Sequence, residues 1–180
     1  MKYWFTADLH LAHHNIIKYC DRPFKDVDDM NEKLIRNWNT RVAPEDTVFH
    51  LGDFCFRGNT PLDLNKNQGM AWEEQLNGKL ILLKGNHDGN NGLNTIITDM
   101  LITLNGKTIF MTHIPPEHPA AIPDFVDFVL CGHIHQLWKK KIVMKDGYGI
   151  PLINVGTDVW NYRPVGIDDI MAARFKEDGE

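Results

Sequence analysis

Residues 79–88 read Lys-Leu-Ile-Leu-Leu-Lys-Gly-Asn-His-Asp. The apolar run is short, rich in branched side chains and closed by a lysine and a glycine, which predicts a buried strand over 79–84. The strand ends on a glycine, and Asn86, His87 and Asp88 follow at once. The same grammar recurs in both directions along the chain. The aromatic run Lys2–Thr6 is followed by Asp8-Leu9-His10, and Thr47–Leu51 by Gly52-Asp53. Further on, Thr108–Thr112 is followed by His113, and Asp127–Cys131 by Gly132-His133-Ile134-His135. Side chains two apart on an extended chain point the same way, so Asp8 with His10, and His133 with His135, can each reach one point.

Between these strands the chain alternates with helical stretches. Ile16–Tyr19 predicts one helical turn. A longer helix is expected from an Asp28 or Asp29 cap to about Asn39, with Met30, Leu34, Ile35 and Trp38 on one face. Residues 69–76 suggest a short helix. Asn105-Gly106 between apolar runs signals a type I′ hairpin. Asp146-Gly147 signals a second hairpin, with a loop expected to exceed two residues. The segment from about Ile167 to Phe175 is expected to close a sheet edge. The first half thus reads β-α-β-α-β and the second mostly β, which two packed sheets with outer helices satisfy.

Composition bounds the function. The chain has 180 residues, 43% hydrophobic and 24% charged, with a net charge of −5. That describes one domain, residues 1–180, able to bury a core without disulfides. The acidic balance argues against a broad surface that grips nucleic-acid backbone. Three cysteines with no CxxC pair argue against a disulfide scaffold or a Cys-rich zinc site and for a reducing, cytoplasmic setting. Neither a signal peptide nor a membrane-length apolar run is visible. Nine histidines, several beside Gly, Asp or Asn, are the unusual feature.

Asp, His and Asn supply oxygen and nitrogen donors suited to Mn, Ni, Fe or Zn. Seven such residues at strand ends are too many for one tetrahedral zinc and enough for two metals sharing a carboxylate. Two metals about 3.5–4 Å apart can clamp the attacking and leaving oxygens of an in-line displacement at phosphorus. Gly52, Gly85 and Gly132 are expected to provide the sharp exits from the strands that bring the ligand backbones close to one centre. Each motif alone is weak, and Gly-Asp is nearly uninformative. Their weight comes from five in sequence, each directly after an apolar strand.

The ordered set resembles the calcineurin-like metallophosphoesterase superfamily. Its pattern is DxH, GD, GNH followed by Asp or Glu, a single His, then GHxH, and Asn154–Asp158 is similar to the strand that follows. The resemblance implies an α/β fold, a four-layer α/β/β/α sandwich of two mixed β-sheets with flanking helices. It implies one divalent metal on Asp8, His10, Asp53 and His135. A second would lie on Asp53, Asn86, His113 and His133, with Asp53 bridging. His87 would lie over the site as a proton donor rather than a ligand. The chain departs from the family's GDxxDRG pattern, because Phe56 replaces the second Asp ahead of Arg57 and Gly58. That argues against a Ser/Thr protein phosphatase and leaves Asp88 or a carbonyl to orient His87. Arg57 can bind phosphate or be a plain surface arginine.

The stretch from Asp8 to Phe24 is similar to that of small bacterial and phage phosphoesterases. His14 and Asn15 are taken as substrate-binding, with His13 weighed lower because a helix-start surface position is as natural. His50 reads as a buried hydrogen-bonded histidine and His118 as an exposed loop residue. Lys139–Lys141 read as a guarded edge strand. Trp160–Arg163 either stack on a base or cap the core. The expected activity is metal-dependent phosphodiester hydrolysis on small or nucleotide-derived substrates. A phosphomonoesterase is the alternative, and a metal-binding scaffold without catalysis ranks behind it. Partners would be small phosphoesters, with homo-oligomerisation left open and no membrane.

Overall fold

The computed structural model describes residues 1–56, 68–90, 93 and 95–175. Strands β1 (Tyr3–Thr6), β2 (Thr47–His50) and β3 (Lys79–Leu82) pair in parallel, and a two-residue strand near the C-terminus adds antiparallel to β1. The order of this sheet is β3-β2-β1 and then that last strand. Its registers align Thr6 with His50 and His50 with Leu82, so all three chains leave the sheet on one line. Asp8, Asp53 and Asn86 are delivered just past that line.

The second sheet contains β4 (Asp99–Leu104), β5 (Lys107–Thr112), β6 (Phe128–Cys131), β7 (Lys140–Lys145) and β8 (Tyr148–Asn154), in the order β4-β5-β6-β8-β7. Its central strands β5, β6 and β8 are parallel, and the two hairpins supply the antiparallel edges. Both sheets are therefore mixed. Asn105 and Gly106 take φ of 51° and 71°, the pair of left-handed residues that a type I′ turn needs. Asp146 and Gly147 do the same at 50° and 84°, and the loop they form between Lys145 and Tyr148 has two residues, shorter than expected.

The inner faces of the sheets pack through Phe5, Phe49, Leu83, Ile109, Met111, Phe128, Leu130 and Ile153. The outer face of the first sheet is covered by α1 (His14–Tyr19), α2 (Val27–Arg41) and α3 (Gln68–Glu73). In α2, Met30, Leu34 and Trp38 recur every four residues and are buried, which is the spacing of one helix face. Its cap is Asp26 rather than Asp28 or Asp29, with the carboxylate accepting from the Asp29 amide at 2.9 Å. The outer face of the second sheet is covered by Ile122 and Val126, beside a short 3₁₀ turn, Pro119–Ala121.

One C-terminal expectation is corrected. The edge strand is β9 (Val165–Gly166), while residues 167–175 form helix α4 (Ile167–Phe175). Ile170 of α4 is buried in the core between the sheets, so apolar content there served a helix rather than a strand. Among the described residues no helix is long and apolar enough to cross a membrane.

Candidate metal centre

The strand ends converge across the two sheets. Asp8 N donates to Gly52 O at 3.0 Å and His10 N to Asp53 O at 3.0 Å, which ties the first two motif loops together. Ala7 N donates to Val155 O at 3.1 Å, and His133 N approaches both Asp8 carboxylate oxygens at 3.0 and 2.9 Å. Asp8, His10, Asp53 and His113 are all at most 3% exposed.

Seven residues were expected as ligands, and the structure gathers them into two groups. One ligand atom each from Asp8, His10 and His135 lie within 4.8 Å of one another, and so do those of Asp53, His113 and His133. Asn86 completes the second group, its Oδ1 lying 2.9 Å from both His113 Nε2 and His133 Nδ1. Asp53 Oδ2 sits between the groups, 3.5 Å from His10 Nε2 and 3.4 Å from His113 Nε2.

The backbone is strained where these side chains are presented. Asp8, His10, Asp53, His133 and His135 have φ between 48° and 72°. Non-glycine residues visit that region at a cost of roughly 1 kcal/mol or more each, and such strain concentrates at functional sites. The glycines bring the loops close to one centre, and one of them also turns the chain out of its strand. Gly52, at φ 98°, is a left-handed exit, whereas Gly85 and Gly132 are needed for close approach. A Cβ on Gly85 would collide with Asp53, and one on Gly132 would stand 2.8 Å from Asp8 Oδ2.

The imidazoles are oriented by what they do on their other side. His113 Nδ1–H donates to Leu51 O at 2.8 Å, and His135 Nδ1–H to Asp158 Oδ2 at 2.9 Å. His10 Nδ1 meets His13 Nδ1 at 3.3 Å, one ring donating to the other. Each contact leaves Nε2 for the centre, as metal-binding histidines require. His10 Nε2 is buried and makes no hydrogen bond. Buried donors and acceptors are rarely left so. An orphaned ring nitrogen facing a carboxylate and other imidazoles fits a divalent cation.

Charge follows from the same crowding. Burial, with nearby Asp53, pushes Asp8 up to about 6 against the pull of His113 and His135. Burial opposes ionisation of Asp53 too, but the His113 hydrogen bond and neighbouring imidazoles hold it below the usual carboxylate range. Burial alone would lower His135, yet its bond to Asp158 raises it to about 10. The bond that makes His135 hold a proton tightly makes it a stronger donor to a metal.

Two residues missed by sequence reasoning support this half. Arg22 is 4% exposed. It pairs with Asp158 through Nε–Oδ1 at 2.8 Å and Nη2–Oδ2 at 3.0 Å. The same guanidinium donates to Asp8 O at 2.7 Å and Leu9 O at 2.9 Å. It therefore clamps the first ligand loop to the loop after β8. Cys20, His135 and Asp158 also come within ligand reach of one another. The guanidinium already on Asp158 makes this third cluster a poor cation site. Nothing in the local sequence marks Arg22 and Asp158 as partners, since 136 residues separate them.

The remaining expected site residues fall out as follows. Asp88 is buried, and its carboxylate accepts from Asp53 N at 2.7 Å, Phe54 N at 3.0 Å and Gly85 N at 2.8 Å. These bonds tie the Asp53 loop to the loop that carries His87. His87 is exposed, its ring 5.5 Å from His10 and its amide donating to Asp53 Oδ1 at 2.9 Å. His14 and Asn15 are exposed at the start of α1, and among the described residues neither side chain bonds to the cluster. His13, weighed lower, is the one that turns inward. Arg57 and Gly58 lie outside the described residues. His50 is fully buried and accepts from Gly52 N at 3.3 Å, and burial lowers it to about 3. His118 caps the 3₁₀ turn. Trp160 donates to Asn154 O at 2.7 Å and carries Lys139 over its ring, while Tyr162 packs edge-on against Phe24. These aromatics cap the core.

Comparison with known proteins agrees with the geometry. A family model described as the calcineurin-like phosphoesterase superfamily domain matches residues 1–165. An uncharacterized protein of Methanocaldococcus jannaschii is 34% identical over 175 residues, covering 94% of this chain and 89% of that protein. The gene 66 protein of Mycobacterium phage L5 is 32% identical over 91 residues, covering 51% of this chain and 42% of the phage protein. Among solved structures, a protein of unknown function from Aquifex aeolicus superposes with a TM-score of 0.70 at 27% identity. That match covers 96% of this chain and 98% of the other.

Proposed function

The chain belongs to the calcineurin-like phosphoesterase superfamily, and from that premise we propose that it hydrolyses phosphodiesters at a centre of two divalent ions. The observation that carries the reading is the pair of convergent donor groups, Asp8/His10/His135 and Asp53/His113/His133, with Asp53 Oδ2 between them. Asp8, His10, Asp53 and His135 would hold one ion. Asp53, Asn86, His113 and His133 would hold the other. Divalent ions so bound lower the pKa of water towards neutrality and offset charge on phosphoryl oxygens.

The chain's own residues do the rest. His87 stands beside the ligand set with its backbone fixed to Asp53, and an imidazole there can donate a proton to the leaving oxygen. Asp88 keeps the Asp53 and Gly85 loops at one spacing, so the proton donor stays in register with the bridging carboxylate. Phe56 stands where the protein-phosphatase pattern has the carboxylate that pairs with its catalytic histidine, and the lack of that pair is the ground for preferring a diester.

Hydrolysis of bis-p-nitrophenyl phosphate and p-nitrophenyl phosphate under Mn, Ni, Zn and Mg tests this. The diester is expected to be the better substrate, with activity abolished by a chelator and restored by metal. Preference for the monoester would reverse the substrate assignment. Two bound metals without turnover of either ester would indicate a scaffold.

A further inference from the structure

One flank of the centre is paved with aromatic rings that the metal chemistry does not use. His13 lies flat on Phe56, with ring centroids 4.3 Å apart and planes 13° apart. Tyr19 meets His13 edge-on at 6.3 Å. Inward, the His13 ring is 5.2 Å from His10 and 6.3 Å from His87. An aromatic path therefore runs from a ligand and the proton donor out to solvent, where Phe56 is 40% exposed and Tyr19 68% exposed.

Backbone contacts hold this path in place. Leu11 and Cys55 form an isolated parallel bridge, with Leu11 N donating to Phe54 O at 3.1 Å and Phe56 N to Leu11 O at 2.8 Å. His13 N donates to His10 O at 3.1 Å. Phe56 is thus tied by backbone bonds to the same loop that carries His10 and His13. A phenyl ring kept partly in water forgoes burial, and aromatic faces so displayed are suited to stacking on flat ligands.

We propose that the His13–Phe56 stack is the leaving-group platform of the centre and takes the flat aromatic ring of the esterified group, the aryl of an aryl ester or the base of a nucleoside ester. The proposal rests on the phosphoester reading above and narrows its substrate class. Because His87 and His13 lie on one side of His10, an ester oxygen protonated by His87 has its organic group beside the stack. One face of Phe56 is covered by His13, and its exposed surface receives the incoming ring.

The test uses phosphonates, which are not hydrolysed, titrated calorimetrically into the full manganese-loaded chain. Phenylphosphonate and an adenosine 5′-phosphonate are each expected to bind about five- to tenfold tighter than methylphosphonate, the range an aromatic pair supplies. F56A should reduce that ratio to about one without changing methylphosphonate affinity. F56L, which keeps apolar bulk but not the ring, should do the same, and F56Y should preserve the ratio. Equal binding of all three phosphonates by the wild-type chain, or a ratio that survives F56A and F56L, overturns the platform while leaving the phosphoester reading in place. Failure of all three to bind the metal-loaded chain overturns that reading and the platform with it.

Discussion

The two halves of the centre are built to different standards. The Asp8/His10/His135 half is enclosed. Asp8 and His10 are buried, His10 is met by His13, and His135 is held by Asp158, itself paired with Arg22. The Asn86/His113/His133 half opens outward. His113 is buried and anchored on the Leu51 carbonyl, but Asn86 and His133 are exposed. Donors of the same chemistry thus occupy sites of unequal rigidity. On the two-ion reading proposed above, the enclosed half should retain its ion and the open half should exchange its own with solvent and substrate.

The most damaging way to break this comparison is to remove the residue common to both halves. Asp53→Ala should lower bound metal from about two ions per chain to one or none and abolish hydrolysis, because the bridging carboxylate of a two-metal site is gone. Elemental analysis of the purified variant measures this, and retention of both ions would falsify the bridging role. Next comes a change that should leave both halves full. His87→Ala is expected to keep the metal content and lose about 10²–10⁴ in turnover, the range for a general acid. A fall in metal content would instead make His87 a ligand.

Asp158→Asn sharpens the difference between the halves. It weakens the acceptor on His135 and leaves the buried Arg22 guanidinium without its counter-charge. Loss of such an outer partner typically costs 10–100-fold in metal affinity, which should fall on the enclosed half and spare the open one. Two-site calorimetric titration of the metal-free chain reads the two affinities separately, and equal weakening of both would remove the distinction. The smallest effect belongs far from either half. Asp26→Ala removes the α2 cap at a cost of about 1 kcal/mol in urea unfolding, with metal affinities and hydrolysis unchanged.

Much of this molecule is legible along the chain because its candidate ligands follow strands. A short apolar run ending in Gly, Asp, His or Asn predicts both an element and what it presents, and Asp8, Asp53, Asn86, His113 and His133 stand where that pattern puts them. The hairpin at Asn105-Gly106 was readable for a similar reason, since two residues there carry the turn's whole conformational demand. The C-terminus was less readable. Ile167–Phe175 carries apolar residues consistent with either period, and packing against β1, β8 and β9 decided for the helix. The choice of His13 over His14 was also hidden. Ala12 at φ 64°, with its amide on Asn31, turns His13 towards His10 and leaves His14 outside.

Sequence alone determined the candidate donor set and its order, because metal chemistry favours those residue types and strand ends fix their positions. The tertiary structure decided everything that depends on distant segments meeting. It brought Asp158 to His135 and Arg22 to both loops, set Phe56 flat on His13, and made one half of the centre closed and the other open. Burial and orientation arise from the packing of one sheet on the other, and such contacts between residues far apart in the chain leave no local pattern to read.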